Sequence, residues 1–206
     1  MMSDKNLEED YEIVITPEND EEGLEVKVQQ DPFFVLSGGL DDENVEGLLN
    51  FLIAALEHDG EIELLKIYMS TPGGCSDSAH GLTDLMVLLQ DMGKIIETFA
   101  VGTCMSAGVM LVSCGTHGFR KATRFTRFMI HPVIAGLPAG TAPEIEVNNK
   151  ETQRHQKDYV DKLVMMSSME DKELLRKKLK KIMKKNTDYF FSAEEALELG
   201  FIDIIV

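Results

Sequence analysis

The chain has 206 residues, of which 44% are hydrophobic and 27% are charged, as is ordinary for one globular domain with a sizeable core. Its formal net charge of −16 disfavours direct binding to nucleic acid, whose phosphates recruit basic surfaces. No apolar run reaches the roughly 18 residues of a membrane span, and the acidic start is unlike a signal peptide. We therefore expect a soluble, cytoplasmic protein that contacts no membrane.

Residues 1–31 are strongly acidic and are expected to form an N-terminal arm that precedes a single domain at residues 32–206. Alternating stretches at 11–16 and 24–28 leave two interpretations of this arm open. It forms a hairpin, or it is a frayed and partly disordered segment.

A strand, a glycine-rich turn and a helix follow one another three times in the first half of the chain. The strands are expected at 33–36, 62–69 and 95–101. This alternation predicts βαβ units and a parallel sheet. Ligands of such sheets bind outside the carboxyl ends of the strands, and Gly73-Gly74 and Ser106 both lie at such ends.

Ser106 stands between an apolar strand and the apolar helix expected at 109–112. A hydroxyl at this turn has unpaired backbone N–H groups beside it, as a nucleophile with an oxyanion site requires. On this turn alone, a helix N-cap is the favoured interpretation. Position 104 is Cys, so there is no GxSxG elbow of the α/β-hydrolases.

The three cysteines lie in or next to apolar elements, and their odd number argues against a disulfide framework. Cys104 is an alternative nucleophile, although a small packing residue is the favoured interpretation. The chain has no Cys/His cluster with zinc spacing and no phosphate-binding glycine loop. We therefore expect neither a metal nor a cofactor.

His131 closes an apolar strand and precedes Pro132, which makes it a candidate general base, with a structural histidine as the alternative. A long polar helix from Pro143 to about residue 168 is expected to be exposed or to pack against another copy. A basic helix at about 170–184 follows it. Asp188 then stands directly before an apolar triplet.

Four segments carry a further pattern, namely 69–74 (MSTPGG), 102–111 (GTCMSAGVML), 129–131 (MIH) and 188–203. In this order they resemble the Clp protease proteolytic subunit family, ClpP, and the resemblance extends over residues 32–206. It implies an α/β, ClpP/crotonase-like fold built from repeated βαβ units with a long handle helix.

The resemblance also implies a serine endopeptidase that needs no cofactor. Ser106 would be the nucleophile, His131 the general base and Asp188 the residue that orients the imidazole. The oxyanion hole would consist of the backbone N–H groups of Gly74 and Ala107. Glycine at 74 suits this role because a Cβ there would obstruct the approach of a peptide.

The family forms heptameric rings, two of which stack through the handle helix around a chamber that degrades unfolded polypeptides fed by a Clp AAA+ ATPase. Three alternatives stay open. They are a catalytically silent ring subunit, an ATPase-independent protease of the capsid-maturation type, and a crotonase-like acyl-CoA enzyme without a triad.

The chain departs from the family at several positions. Pro132 follows His131 directly, Ala107 replaces a methionine, and 57 residues separate His131 from Asp188, which is longer than expected. Residues 1–31 do not resemble the axial loop of the family. These departures indicate a divergent member, for example a viral one.

Overall fold

The computed structural model describes residues 31–58, 63–134, 140–185 and 187–206, and the backbone of two short strands, β1 (Ile13–Val14) and β2 (Lys27–Val28). These two strands pair antiparallel, as in the expected hairpin. The rest of the acidic arm lies outside the described residues. The boundary between arm and domain therefore remains a prediction.

The described residues form a main sheet of seven strands: β3 (Phe33–Ser37), β4 (Leu64–Thr71), β5 (Ile95–Met105), β6 (Arg120–Ala122), β7 (Arg127–Ile130), β8 (Tyr189–Phe191) and β9 (Ile204–Ile205). Strands β3, β4, β5, β6 and β9 are neighbours in that order, and every pair is parallel. This confirms the parallel sheet that the βαβ pattern predicts. Strand β8 pairs antiparallel with β7.

Six helices lie in the described part of the chain: α1 (Asp42–Glu57), α2 (Ser76–Asp91), α3 (Ala107–Ser113), α4 (Ala142–Met166), α5 (Lys172–Met183) and α6 (Ala193–Glu198). None of them is long and apolar enough to cross a membrane. The Asp41 carboxylate accepts a hydrogen bond from the Asn44 N–H at 3.0 Å and caps α1. Helix α6 begins with a capping box formed by Ser192 and Glu195.

Strand β4 alternates between buried and half-buried residues along its whole length. Its buried side chains, Leu65, Ile67 and Met69, belong to the core that the helices cover. Helix α3 contributes most completely, because all seven of its residues are buried. The segment before α3 is therefore held between a packed helix and the centre of the sheet.

Strand β5 is longer than predicted, and on the side away from β4 it pairs with two strands. Residues 98–100 pair with β6, and residues 103–105 pair with β7. The stretch from Gly102 to Met105 is consequently strand, where a glycine-rich turn is expected from the sequence. The pairing with β7 carries β5 directly to Ser106.

Two local sequence patterns predict slightly different element bounds. Ser76 and Asp77 are residue types that favour helix caps, but α2 begins at Ser76 and Cys75 occupies the cap position. The apolar segment 201–206 predicts a closing strand, of which β9 pairs with β6 over two residues only.

The sheet also contains a buried ion pair that the sequence analysis does not predict. The Arg120 side chain is fully buried, and its Nε donates to the Asp203 carboxylate at 2.8 Å. A second Arg120 nitrogen donates to the Met166 carbonyl at 2.7 Å. This group links β6, the segment before β9 and the end of α4.

Candidate active site

A cavity of about 490 Å³ opens beyond the carboxyl ends of β4, β5 and β7. The loops and turns that follow these three strands supply most of its wall. The lining residues are Pro72, Gly73, Gly74, Cys75, Ser76, Ser106, Ala107, Met110, His131, Val133, Ile134 and Tyr159. The sequence-predicted Ser106 and His131 therefore share one cavity, at the edge of the sheet where ligands of parallel sheets bind.

Ser106 joins β5 to α3 in a strained backbone conformation, with φ 54° and ψ −124°. It is the one residue other than glycine with positive φ in the described part of the chain. Its N–H donates to the Met129 carbonyl at 2.7 Å, and its carbonyl accepts from the Val109 N–H at 3.0 Å. Such strain persists only where the surroundings enforce it, and it is concentrated at functional sites.

Gly73 packs directly against this turn. Its φ is +91°, and a Cβ added to it would lie 2.7 Å from the Ser106 Cβ and 3.0 Å from the Ala107 nitrogen. Only glycine fits this position, for reasons of both conformation and space. The turn at Gly73–Gly74 and the turn at Ser106 are therefore in contact, as expected from their positions at the carboxyl ends of the strands.

The turn at Gly73–Gly74 also packs closely against Leu40. The Leu40 N–H donates to the Gly73 carbonyl at 2.9 Å, and a Cβ on Gly74 would meet Leu40 atoms at 2.8 Å. Gly74 and Ala107 both line the cavity, next to Ser106. The oxyanion role that the sequence resemblance implies for their N–H groups remains a prediction.

His131 follows β7 and is half-buried. Its Nδ1 lies 2.6 Å from the Pro132 carbonyl oxygen. A carbonyl only accepts hydrogen bonds, so we assign the proton of the neutral ring to Nδ1 and the basic lone pair to Nε2. This is the tautomer that a general base in the cavity requires.

Asp188 is exposed and does not line the cavity. The antiparallel ladder of β7 and β8 pairs Met129 with Phe190 and Ile130 with Tyr189. Continuing this register by one residue sets His131 opposite Asp188. Residues at opposed positions have Cβ atoms about 5 Å apart, but among the described residues the His131 ring bonds only to the Pro132 carbonyl.

Cys104 is fully buried, with its Sγ 3.9 Å from the Met69 sulfur. Burial raises the pKa of its thiol far above the ordinary range, so the thiolate does not form at neutral pH. The packing interpretation of Cys104 is confirmed. In the described residues, no group of three or more His, Cys, Asp or Glu could hold a metal ion.

The sequence does not single out the cavity residue Tyr159. This tyrosine is buried, and its hydroxyl donates to the Ser106 carbonyl at 2.9 Å. The available signal is the apolar end of an otherwise polar helix. The buried positions of α4 are Tyr159, Val160, Leu163, Val164 and Met166. That pattern indicates burial and says nothing of a hydrogen bond to a distant turn.

A model of the Clp protease family matches residues 25–206. The match includes most of the chain, so the chain belongs to the Clp protease family. The parallel sheet with its six helices in the described residues is consistent with the ClpP fold, as the sequence motifs predict.

Two curated relatives are similar over most of their length. The ATP-dependent Clp protease proteolytic subunit 1 of Tropheryma whipplei (strain Twist) is 29% identical over 182 residues, 87% of this chain and 82% of that protein. The ATP-dependent Clp protease proteolytic subunit 3 of Synechococcus sp. (strain CC9605) is 29% identical over 170 residues, 81% of this chain and 80% of that protein.

Proposed function

We propose that this chain is a cytoplasmic, ClpP-like serine endopeptidase that hydrolyses peptide bonds of unfolded polypeptides inside an oligomeric chamber. The observation that carries the proposal is Ser106, held in a strained conformation on the same cavity as His131. A residue that serves only as a helix cap needs no positive φ. The family membership supports the same conclusion.

In this mechanism the Ser106 hydroxyl attacks the scissile carbonyl while His131 Nε2 takes its proton. The N–H groups of Gly74 and Ala107 stabilise the oxyanion that forms. His131 then returns the proton to the leaving amine, and the serine is left as an acyl ester. A water molecule, activated by the same imidazole, hydrolyses the ester and restores Ser106.

Asp188 completes the proposed triad by accepting a hydrogen bond from His131 Nδ1. The described conformation has the Pro132 carbonyl in that position. The β7–β8 register, continued by one residue, sets Asp188 opposite His131. This supports an exchange of one acceptor for the other by rotation of the His131 side chain. A carboxylate stabilises the imidazolium better than a carbonyl does, because its charge opposes the one that forms.

We propose a heptameric ring, two of which stack around the chamber. Residues 140–151, which include the first three turns of α4, are exposed throughout. Ile145 and Val147 are apolar side chains on that surface. Such a helix suits packing against another copy.

A second apolar surface, the aromatic row, crosses the sheet through Phe33, Tyr68 and Phe99, with ring centroids 6.2 Å and 5.7 Å apart. Phe33 and its neighbour Val35 are both 55% exposed. We propose that a neighbouring copy or a Clp AAA+ ATPase covers this row, because exposed apolar surface of this kind marks contact sites.

One observation favours a second candidate, a catalytically silent ring subunit. Asp188 does not contact His131 in the described conformation, so the triad is not aligned there. A silent subunit would assemble and hydrolyse nothing.

The test is hydrolysis of fluorogenic peptides by the purified chain and by Ser106→Ala, with native mass measured on both samples. Hydrolysis by the wild type that is lost in Ser106→Ala, with both masses at 7 or 14 subunits, would support the chamber protease. Assembled wild type without hydrolysis would favour the silent subunit. A monomer that hydrolyses peptides would contradict the chamber.

A further inference from the structure

Tyr159 connects helix α4 to the nucleophile turn, which is the turn at Ser106 between β5 and α3, through a single hydrogen bond. Its side chain is 5% exposed, and its hydroxyl lies 2.9 Å from the Ser106 carbonyl oxygen. The two residues are 53 positions apart in the chain. A buried hydroxyl without a hydrogen-bond partner destabilises the folded protein, so this hydrogen bond satisfies a requirement of the buried Tyr159 side chain.

The hydrogen bond acts on the peptide group that joins Ser106 to Ala107. The C=O of a trans peptide and the N–H of the next residue point in opposite directions from one rigid plane. The Ser106 oxygen faces Tyr159 and the Val109 N–H. The Ala107 nitrogen lies beside the turn at Gly73–Gly74, 3.0 Å from the position that a Cβ on Gly73 would occupy.

We propose that Tyr159 is a positioning residue for the oxyanion hole, which orients and polarises the Ser106–Ala107 peptide so that the Ala107 N–H points to the developing oxyanion. The inference rests on the proposed function. A hydrogen bond received by a carbonyl strengthens the donor on the same peptide, and this adds polarisation to orientation.

The strain at Ser106 explains why the peptide needs this support. With φ at 54°, the residue is outside the conformations that a serine prefers, and rotation of the following peptide would relieve part of the cost. Such a rotation would turn the Ala107 N–H away from the glycine turn. The Tyr159 hydroxyl opposes it by holding the Ser106 oxygen on the α4 side.

The hydroxyl remains a donor across the working pH range. Burial, and then the neighbouring Cys104, raise the pKa of Tyr159 far above its ordinary range. The contribution of Tyr159 is therefore independent of pH, unlike that of a residue that exchanges protons with His131.

The variant Tyr159→Phe removes the hydroxyl and keeps the ring that packs in the cavity. We expect kcat for a peptide substrate to fall about tenfold, as for the loss of one hydrogen bond to a reacting site, with KM within about twofold. The pH profile of kcat should keep its shape. Tyr189→Phe is the matched control, because it removes a hydroxyl that contacts Glu195 outside the cavity.

A peptide aldehyde extends the test to a ligand whose oxygen occupies the oxyanion hole once Ser106 has added to it. Tyr159→Phe should weaken this adduct about tenfold and leave the affinity of the corresponding peptide amide unchanged. An unchanged kcat, or a loss that appears entirely in KM, would overturn the inference. A lower melting temperature with normal kcat would do the same by assigning a structural role only.

Hydrogen exchange tests the role of Tyr159 even if the chain hydrolyses no peptide. The Ser106 N–H is bonded to the Met129 carbonyl of β7, and the Val109 N–H is bonded to the Ser106 carbonyl. Loss of the Tyr159 support should therefore speed exchange in residues 104–110. We expect faster exchange there in Tyr159→Phe and wild-type rates in Tyr189→Phe. Equal rates in all three proteins would overturn the inference, whereas inactivity of the wild type alone would overturn only the proposed function.

Discussion

Gly73 and Ser106 are packed so closely that a Cβ on the glycine would lie 2.7 Å from the Cβ of the serine. The contact joins the turn after β4 to the turn after β5, which the parallel sheet brings side by side. It places the strained Ser106 against a segment whose next residue, Gly74, lines the same cavity. The geometry of Ser106 therefore depends on the absence of a side chain at position 73.

Gly73→Ala tests this dependence, and Gly93→Ala is its matched control. Both glycines have φ near +90°, but nothing lies within 4 Å of a Cβ at Gly93. Both variants should carry backbone strain of about 1–2 kcal/mol, seen as lower melting temperatures. Only Gly73→Ala should also lose peptide hydrolysis, because only there does the new methyl group displace Ser106.

Equal activity of the two variants, after allowance for their stability, would mean that Ser106 does not need its close contact with the glycine turn. Loss of activity in Gly93→Ala would point instead to a general sensitivity to strain.

Asp188→Asn tests whether the triad forms. If Asp188 replaces the Pro132 carbonyl as the partner of His131 during catalysis, kcat should fall about 10²- to 10⁴-fold. Glu198→Gln is the control, because Glu198 is an exposed carboxylate outside the cavity. The measurement is kcat against pH for both variants.

Activity of Asp188→Asn within a few-fold of the wild type would show that the Pro132 carbonyl alone orients the imidazole. The enzyme would then work with a Ser106–His131 dyad.

Asp203→Asn tests the buried ion pair with Arg120. Burial raises the pKa of the Asp203 carboxyl, but hydrogen bonds and charge from Arg120, with the N–H groups of Gly118 and Arg120, outweigh it, so the pKa lies below its ordinary value. Asn leaves the Arg120 charge buried without its partner, and we expect a loss of about 3–5 kcal/mol in unfolding free energy at pH 7.

The pH dependence has a defined sign. A depressed carboxyl pKa contributes stability that is present above the unfolded pKa of about 4 and is lost as the pH falls through the lower folded value. The difference between wild type and Asp203→Asn should therefore narrow below about pH 4. Denaturant titrations at several pH values measure it, with the exposed Asp91→Asn as control. A constant difference would contradict the assignment.

Cys75 should be the one cysteine that alkylates in the folded protein. It is exposed, and hydrogen bonds from Ser78 lower the pKa of its thiol, whereas burial raises the pKa of Cys114 to about 12. Iodoacetamide followed by peptide mapping should modify Cys75 and spare Cys104 and Cys114 until the protein is denatured. Alkylation of Cys104 under native conditions would show that the core around the nucleophile turn opens.

The sequence predicts the order of strands and helices well where apolar residues keep a clear period. The apolar run at 62–69 predicts a strand, which the structure has at Leu64–Thr71 with alternate residues buried. The helical spacing of apolar residues around Leu48 and Leu52 likewise agrees with the buried face of α1. The length of strand β5 is predicted wrongly because its last residues pair with β7. A local pattern that contains Gly102 does not indicate pairing between residues 24 positions apart.

The site residues also divide into those that a local sequence pattern predicts and those that depend on contacts between distant segments. Ser106 and His131 are identifiable because each follows an apolar strand in a parallel sheet and matches a family motif. Tyr159 and the Arg120–Asp203 pair are not, because each depends on one contact between elements far apart in sequence. Such contacts result from the packing of distant elements, and they produce no periodic pattern in the sequence.

The most direct test of the central claim is labelling of the purified, assembled chain with a fluorophosphonate, read by intact mass and peptide mapping. Ser76→Ala is the matched control, because Ser76 lines the same cavity as Ser106. We predict one label per chain on Ser106, retained in Ser76→Ala and absent from Ser106→Ala. An assembled wild-type protein that takes no label, or a Ser106→Ala variant that still takes it, would contradict the account.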